Sequence, residues 1–250
     1  MKIKYAIMSS DSNPLYLDFW PVISKIWYEK FNITPVLYYF GDNVDSIDTQ
    51  YGIVKHMTPA PDVPIYFQCL WVRYWSYAEH LDDISIISDI DMIPLSTKYF
   101  IDSIADVADD MYVHLNACIL SYGTLPSCYH VCRGDIYKDI LSLDDDYIAD
   151  VTRVFNMNLG EDPGAHLTGN QQWYADERYA SSKVLEYYNN NPEKVLLFDR
   201  SSKTGDRRID RSNWSYDVEG LKSGFYLDSH SIRPYSKYKD EIDKIVNIIC

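Results

Sequence analysis

Short β-rich segments alternate with helical segments along the first 120 residues, and this alternation constrains the fold more than any other feature. Four segments carry the apolar or alternating residues of strands: 2–8, 34–40, 51–57 and 84–88. Between them, residues 14–30 and 65–81 place apolar side chains at helical spacing. Strands that alternate with helices pair in parallel and are covered on both faces. The sequence therefore predicts an α/β fold, an α/β/α sandwich with a mostly parallel, mixed central sheet.

The second half of the chain adds further elements without a domain boundary. Its predicted strands are 112–120, 129–131 and 194–198, and its predicted helices are 135–143, 171–188 and a C-terminal amphipathic helix ending at Ile249. Residues 201–217 are polar and basic, which predicts a mobile surface loop. Because no internal repeat or linker is present, residues 1–250 are expected to form a single domain.

The charge balance excludes several classes of partner. The chain has 23 Lys and Arg against 37 Asp and Glu, a net charge of −14, whereas nucleic acids and anionic membranes bind basic surfaces. No apolar run reaches the ~18 residues of a membrane-spanning helix, and the N-terminal residues lack the core of a signal peptide. Five irregularly spaced cysteines predict no disulfide framework. We therefore expect a cytoplasmic protein with no nucleic-acid partner and no integral membrane segment.

Tyrosine is unusually frequent, at 23 of the 250 residues. A tyrosine combines an apolar ring with a polar hydroxyl group, so several of them can line a concave surface and still pack. Such surfaces suit sugars and nucleotide bases. A drift in composition would produce the same count, which leaves both interpretations open.

Two carboxylates, Asp89 and Asp91, come directly after the predicted strand 84–88. Mg²⁺ and Mn²⁺ prefer oxygen ligands, and a bound cation relieves the repulsion between carboxylates held this close together. Residues 9–11 are also polar and follow the first predicted strand, and ligands bind beyond the carboxyl ends of strands in such sheets. We therefore expect both segments at one rim, with a metal site at the acidic pair. A solvated acidic turn is the alternative.

Four further motifs accompany this Asp-x-Asp pair. Arg73 precedes it on the predicted helix 65–81, and the segments Asn116-Ala117-Cys118-Ile119-Leu120, Trp173-Tyr174-Ala175-Asp176-Glu177 and His230-Ser231-Ile232-Arg233-Pro234-Tyr235 follow it. In this order the motifs resemble those of the GT-A glycosyltransferases, and in particular of family 8, which includes glycogenin and bacterial lipopolysaccharide galactosyltransferases. Four differences stand out: Cys118 replaces a Gly, Asp176-Glu177 stands where the family has Asp-Gln-Asp, Arg233 replaces a Lys, and the last motif is shorter.

The resemblance implies a GT-A, Rossmann-like fold with Mn²⁺ (or Mg²⁺) on the donor diphosphate. The metal would be held by Asp89, Asp91 and His230. The first half of the chain, about residues 1–120, would bind the donor, and the second half, about residues 121–250, would bind the acceptor and close the site.

The resemblance also implies roles for the other motif residues. The carboxylates beside the reacting sugar carbon, and therefore the catalytic residues, would be Asp176 and Glu177. The residues that contact the donor would be Ser9, Ser10, Asp11, Arg73, Asn116 and Arg233.

The implied reaction is metal-dependent transfer of a sugar from a nucleoside diphosphate sugar, a uridine diphosphate sugar above all, to a hydroxyl group. The acceptor would be a carbohydrate, a lipid or a protein, and either stereochemical outcome is compatible with the motifs. Independently of any family, metal and arginine charges suit a leaving diphosphate, and a carboxylate suits a cationic sugar. Two alternatives are a catalytically inactive nucleotide-sugar-binding or scaffold protein and a phosphohydrolase with an Asp-x-Asp motif.

Several of these residues also have a purely structural interpretation, as an alternative to a role in function. Arg73 suits an exposed helix surface, and Asn116 suits a hydrogen bond inside a strand. Asp176 and Glu177 suit a solvated helix face. The basic segment 207–211 either clasps a phosphate or pairs with acidic neighbours. The positions of these side chains in the fold distinguish the alternatives.

Overall fold

Most of the strands lie where the alternating segments of the sequence predict them. The computed structural model describes residues 1–117, 125–157, 159, 172–200 and 207–250. Its strands are β1 (Tyr5–Asp11), β2 (Thr34–Phe40), β3 (Ile53–His56), β4 (Ile84–Ile87), β5 (Met92–Pro94), β6 (Tyr112–Ala117), β7 (His130–Arg133), β8 (Val195–Asp199), β9 (Arg208–Asp210) and β10 (Asp228–His230). The sequence predicts all of these except the three-residue strands β5, β9 and β10.

The predicted helices are present, and the described chain adds three that the sequence does not predict. They are α1 (Pro14–Leu17), α2 (Trp20–Lys25), α3 (Ile65–Trp75), α4 (Thr97–Phe100), α5 (Gly134–Leu141), α6 (Tyr147–Asn156), α7 (Ala175–Asn190), α8 (Val218–Lys222) and α9 (Tyr235–Ile249). A π-helical turn, Ile26–Lys30, continues α2, and 3₁₀ turns cover Val44–Ser46, Ser76–Glu79, Asp102–Ile104 and Pro192–Lys194. The three additions are α4, α6 and α8. Asp146 caps α6 by accepting from two backbone N–H groups. In the described chain, every helix is too short or too polar to cross a membrane.

Seven strands of the described chain form one mixed sheet in the order β3-β2-β1-β4-β7-β6-β8. The first four strands of this order are parallel, β7 is antiparallel to both of its neighbours, and β8 is parallel to β6. A single antiparallel strand in this sheet makes it mixed but mostly parallel. The predicted sheet is therefore confirmed.

Side chains of β1 alternate between the two faces of this sheet, as the two-residue period of a strand requires. Ala6 and Met8 pack into a core with α2 and α9, whereas Ile7 packs into a second core with α3, α5, α6 and α7. In β2, Leu37 and Val36 divide between the same two cores. Helices therefore cover both faces, which confirms the predicted α/β/α sandwich.

A small second sheet, β5-β10-β9, joins segments that are far apart in the sequence. Strand β10 is antiparallel to β5 and parallel to β9. In this register His230 pairs with Met92 on one side and with Asp210 on the other. The Arg-Pro-Tyr run that closes its motif indicates a loop around His230. That interpretation is wrong, because backbone pairing on both sides holds His230 in a strand.

The predicted loop 201–217 is also wrong in part. Residues 208–210 form β9, and Ile209 is fully buried there. Residues 201–206 lie outside the described residues. One buried isoleucine and one buried ion pair hold the strand in place. Neither could be predicted, because the segment consists mostly of polar residues.

That ion pair centres on Asp228, which is fully buried in β10. Arg200 and Arg208 donate to its two carboxylate oxygens over 2.8 to 3.1 Å, and the Tyr129 hydroxyl group donates over 3.2 Å. Burial acts to raise the pKa of Asp228, but the two guanidinium groups outweigh burial and hold the pKa well below its usual range. Within the basic segment 207–211, Arg208 therefore pairs with an acidic neighbour.

Candidate active site

A cavity of about 580 Å³ opens at the carboxyl ends of β1 and β4. Ser9, Ser10 and Asp11 reach it from the end of β1, and Asp89 and Asp91 reach it from the segment after β4. The two polar segments therefore share one rim, in agreement with the sequence analysis. The other described residues that line the cavity are Asn13, Leu15, Tyr16, Tyr66, Cys69, Leu70, Arg73, Ile90, Ser127, Trp173, Tyr174, Asp176, Glu177, Arg211, His230 and Arg233.

The cavity brings together all the predicted site residues except Asn116, as far as the described residues show. Asn116 is buried in β6, and its side-chain amide donates to the backbone carbonyl oxygen of Cys128 over 3.0 Å. The rest of its motif, residues 118–120, lies outside the described residues. The position of Asn116 agrees with the alternative of a hydrogen bond inside the strand.

One face of α3 delivers Arg73 to the cavity. Tyr66, Cys69 and Arg73 follow one another at helical spacing, and all three line the cavity. The side chain of Arg73 is only 5% exposed; it forms an ion pair with Asp89, and its second guanidinium nitrogen lies 3.8 Å from Asp176 Oδ2. The alternative of an exposed helix arginine is therefore wrong. Arg73 connects the Asp-x-Asp pair to the acidic pair of α7.

Two arginines and a histidine surround the carboxylate of Asp91. The Oδ2 atom lies 3.0 Å from Arg211 Nη1, 3.5 Å from Arg233 Nη1 and 3.8 Å from His230 Nε2. The side chain of Asp91 is 7% exposed. Burial raises the pKa of Asp91 and the charge of Asp89 adds to this, while the cationic groups act to lower it. This end of the cavity is rich in positive charge, which suits a phosphate-bearing ligand.

A second carboxylate orients the imidazole ring of His230. Its Nδ1 lies 3.2 Å from Asp210 Oδ2, so its Nε2 faces Asp91. A carboxylate on one ring nitrogen is an arrangement that is also common at histidines that bind metal ions. Within the described ranges, no three His, Cys, Asp or Glu side chains converge as a metal centre.

The first turn of α7 holds the carboxylates of Asp176 and Glu177 against Ser127. The backbone N–H and hydroxyl groups of Ser127 donate to Glu177 Oε1 over 2.9 and 3.0 Å, and the hydroxyl oxygen lies 3.3 Å from Asp176 Oδ2. Asp176 is 1% exposed, and its Oδ1 has no hydrogen-bond partner among the described residues. The alternative of a solvated helix face is therefore wrong, because the pair is directed into the protein.

Burial raises the pKa of both carboxyl groups. The pKa of Asp176 rises to about 6, with Arg73 acting against the rise. The pKa of Glu177 rises to about 7, to which the neighbouring charge of Asp176 contributes. A carboxyl group that titrates near neutral pH can accept or donate a proton under working conditions.

We expect Glu177→Gln to stabilise the protein, and to do so more at pH 8 than at pH 5. A raised folded-state pKa means that the folded protein binds the proton more tightly, so stability is lost as pH rises from 4.5 towards about 7. Glutamine keeps an oxygen that accepts from Ser127 but never ionises. Urea denaturation at the two pH values should show that the variant's advantage grows by ~1 to 2 kcal/mol. A gain in stability that is the same at both pH values would contradict a raised pKa of Glu177 in the folded protein.

Among the polar lining residues that the sequence does not predict, Arg211 and Ser127 contact the two acidic pairs of the cavity. Arg211 belongs to the basic segment 207–211, which is conspicuous in a chain of net charge −14. That contrast is a usable signal, although Arg208 of the same segment serves an internal ion pair. Ser127 has no sequence signal, because it meets α7 only through the fold.

No protein-family profile and no curated protein matches the chain. Among solved structures, it is similar to a glycosyltransferase involved in glycosylation of the major capsid of PBCV-1, with 11% identity, a TM-score of 0.48, and 96% of this chain and 99% of that one covered. It is also similar to the galactosyltransferase LgtC in complex with donor and acceptor sugar analogues (9%, 0.47, 98% and 96%) and to the bifunctional glycosyltransferase WbbM (10%, 0.42, 98% and 50%). At these identities, function is inferred from the residues of the cavity.

Proposed function

We propose that this chain is a metal-dependent glycosyltransferase that moves a sugar from a nucleoside diphosphate sugar to an acceptor hydroxyl group. The proposed donor is a uridine diphosphate sugar. One observation carries the proposal: Arg73 contacts Asp89 of the Asp-x-Asp pair and approaches buried Asp176. Through this contact Arg73 links two parts of the cavity. One is the cationic region, Arg211 and Arg233 around Asp91, which suits a diphosphate. The other is the acidic pair, Asp176 and Glu177, which suits a sugar that becomes positively charged.

The donor chemistry of three residues fits a divalent metal ion. Asp89, Asp91 and His230 would supply carboxylate oxygens and an imidazole nitrogen, a set that Mn²⁺ accepts more readily than Mg²⁺. The ring orientation that Asp210 imposes on His230 supports this role. When bound, the ion supplies positive charge to the leaving diphosphate.

Two arginines complement these ligands. Arg211 and Arg233 both direct a guanidinium group towards Asp91, and Arg233 also lies over the ring of Tyr16, 4.8 Å from its centroid. Guanidinium groups bind phosphate oxygens in a bidentate manner. Both residues would therefore hold the diphosphate while negative charge grows on it.

The acidic pair would act on the sugar and the acceptor. In the transfer, the bond between the anomeric carbon and the diphosphate oxygen breaks, the acceptor oxygen bonds to that carbon, and the acceptor proton leaves. Glu177, whose pKa is raised to about 7, is suited to take that proton. Asp176, with one carboxylate oxygen lacking a described partner, would stabilise the positive charge on the sugar.

Isothermal titration calorimetry with nucleoside diphosphates and their sugars tests this proposal. We expect at least one nucleoside diphosphate to bind, with an affinity that rises on addition of Mn²⁺ and falls again with EDTA. Binding that Mn²⁺ leaves unchanged for every nucleotide would overturn the proposal. Mn²⁺-dependent binding without turnover under any acceptor would instead favour the inactive binding protein.

A further inference from the structure

Part of the cavity wall is a pair of stacked aromatic rings, Tyr66 and Trp173, called the aromatic platform below. Their centroids lie 5.8 Å apart, and their planes differ by 20°. Tyr66 lies in the first turn of α3, and Trp173 lies just before α7. Both side chains are partly exposed and line the cavity. Tyr174, which is 43% exposed, follows Trp173 in the chain and also lines the cavity.

We propose that the aromatic platform is the acceptor subsite and that the acceptor is an uncharged saccharide. This inference rests on the proposed function, because it assigns the second substrate of that reaction. A flat aromatic face packs against the apolar C–H face of a sugar ring and leaves the hydroxyl groups free at the edge. The aromatic platform accounts for part of the unusual tyrosine content of the chain.

The position of the aromatic platform relative to the acidic pair supports this role. Trp173 lies two residues before the first residue of α7, and Glu177 lies in the first turn of that helix. On the other side, Tyr66 and Arg73 lie two turns apart on α3, which is about 10 Å along the axis. Arg73 in turn approaches Asp176. A saccharide on the aromatic platform therefore extends towards the group suited to take its proton.

The distribution of charge favours an uncharged acceptor over a phosphorylated lipid or sugar. Each arginine among the described lining residues pairs with Asp89 or Asp91: Arg73, Arg211 and Arg233. Within four residues of Trp173 in the chain, the described acidic or basic lining residues are instead Asp176 and Glu177. A phosphate beside the aromatic platform would meet negative charge, whereas a neutral saccharide meets none that repels it.

Four variants and the wild type test the inference: Trp173→Ala, Trp173→Phe, Tyr66→Ala and, as a control, Tyr28→Ala. Tyr28 is 53% exposed and pairs with Tyr51 outside the cavity lining. Saturation-transfer NMR in EDTA would measure binding of neutral methyl glycosides (hexosides, pentosides, 6-deoxyhexosides and N-acetylhexosaminides) and of the corresponding sugar phosphates. Calorimetry with UDP and Mn²⁺ would measure the donor site separately.

We expect at least one neutral glycoside to bind, and its affinity to fall about tenfold in Trp173→Ala and Tyr66→Ala. Trp173→Phe keeps a flat ring and should stay within about threefold of the wild type, as should Tyr28→Ala. UDP affinity should be the same in all five proteins, which also shows that the variants are folded.

Three results would overturn the inference. The first is that no neutral glycoside binds, and the second is that the sugar phosphates bind as tightly as the neutral glycosides. The third is a loss of UDP affinity in Trp173→Ala, which would show that the aromatic platform binds the nucleobase. Because glycoside binding is measured without donor, failure of the wild type to bind any nucleoside diphosphate would contradict the proposed function alone.

Discussion

Asp176→Asn is expected to lower the turnover number by about 10² to 10⁴, with the dissociation constant of the donor changed by less than about threefold. The substitution keeps the shape of a side chain that is 1% exposed and removes its charge. A charge directed at the reacting sugar carbon interacts most strongly in the transition state, so its loss acts on turnover rather than on binding. Steady-state kinetics together with donor calorimetry separate the two effects.

Asp150→Asn is the matched control for this prediction. Asp150 is also fully buried, and it accepts from Trp71 over 2.8 Å and pairs with Arg153, outside the cavity lining. We expect this control to lower the free energy of unfolding but to leave turnover within about threefold of the wild type. If the Asp176→Asn protein loses donor binding but keeps its maximal rate, Asp176 binds the donor and does not act in the chemical step.

The sequence predicts the part of the fold that depends on neighbouring residues. Strand β2 coincides with the predicted segment 34–40, because a run of apolar and β-branched residues ends there at Gly41. The position of Asp89 and Asp91 after β4 follows from the same kind of local pattern. Parallel strands bring their carboxyl ends together, so one rim for the two polar segments could also be predicted.

The small sheet could not be predicted, because its strands are three residues long and pair across the chain. Asp91 and His230 approach each other only because β10 pairs with β5. Local periodicity carries no information about such a contact. The pairing of β10 with β9 turns part of a polar segment into a strand, and Arg211, which follows that strand, lies beside Asp91.

Helical periodicity identifies the apolar stripe of α3 but does not reveal that Arg73 is buried. Its burial depends on two carboxylates, Asp89 and Asp176, that arrive from other elements. The contact of Ser127 with Glu177 likewise depends on how β7 and α7 approach each other. Polar contacts of this kind join elements distant in the sequence, and they determine which carboxylates are charged.

Asp91→Asn is expected to change nucleoside diphosphate binding in opposite directions with and without Mn²⁺. With Mn²⁺, the variant loses one oxygen ligand and its charge, so affinity should fall about 100-fold or more. In EDTA, the substitution removes the counterion that lies 3.0 Å from Arg211 and 3.5 Å from Arg233. Both guanidinium groups are then available to phosphate oxygens, so affinity should equal or exceed that of the wild type.

Calorimetry with UDP and with uridine, each in Mn²⁺ and in EDTA, compares the affinities of the variant and the wild type under the two conditions. Asp145→Asn is the control, because its side chain is 85% exposed and pairs with Lys138 outside the cavity lining. Uridine lacks phosphates, so its affinity should be the same in all three proteins. If Mn²⁺ strengthens UDP binding equally in wild type and Asp91→Asn, the metal is not held at Asp91. If the variant binds UDP more weakly in EDTA as well, Asp91 supports the fold of the cationic region rather than competing for its arginines.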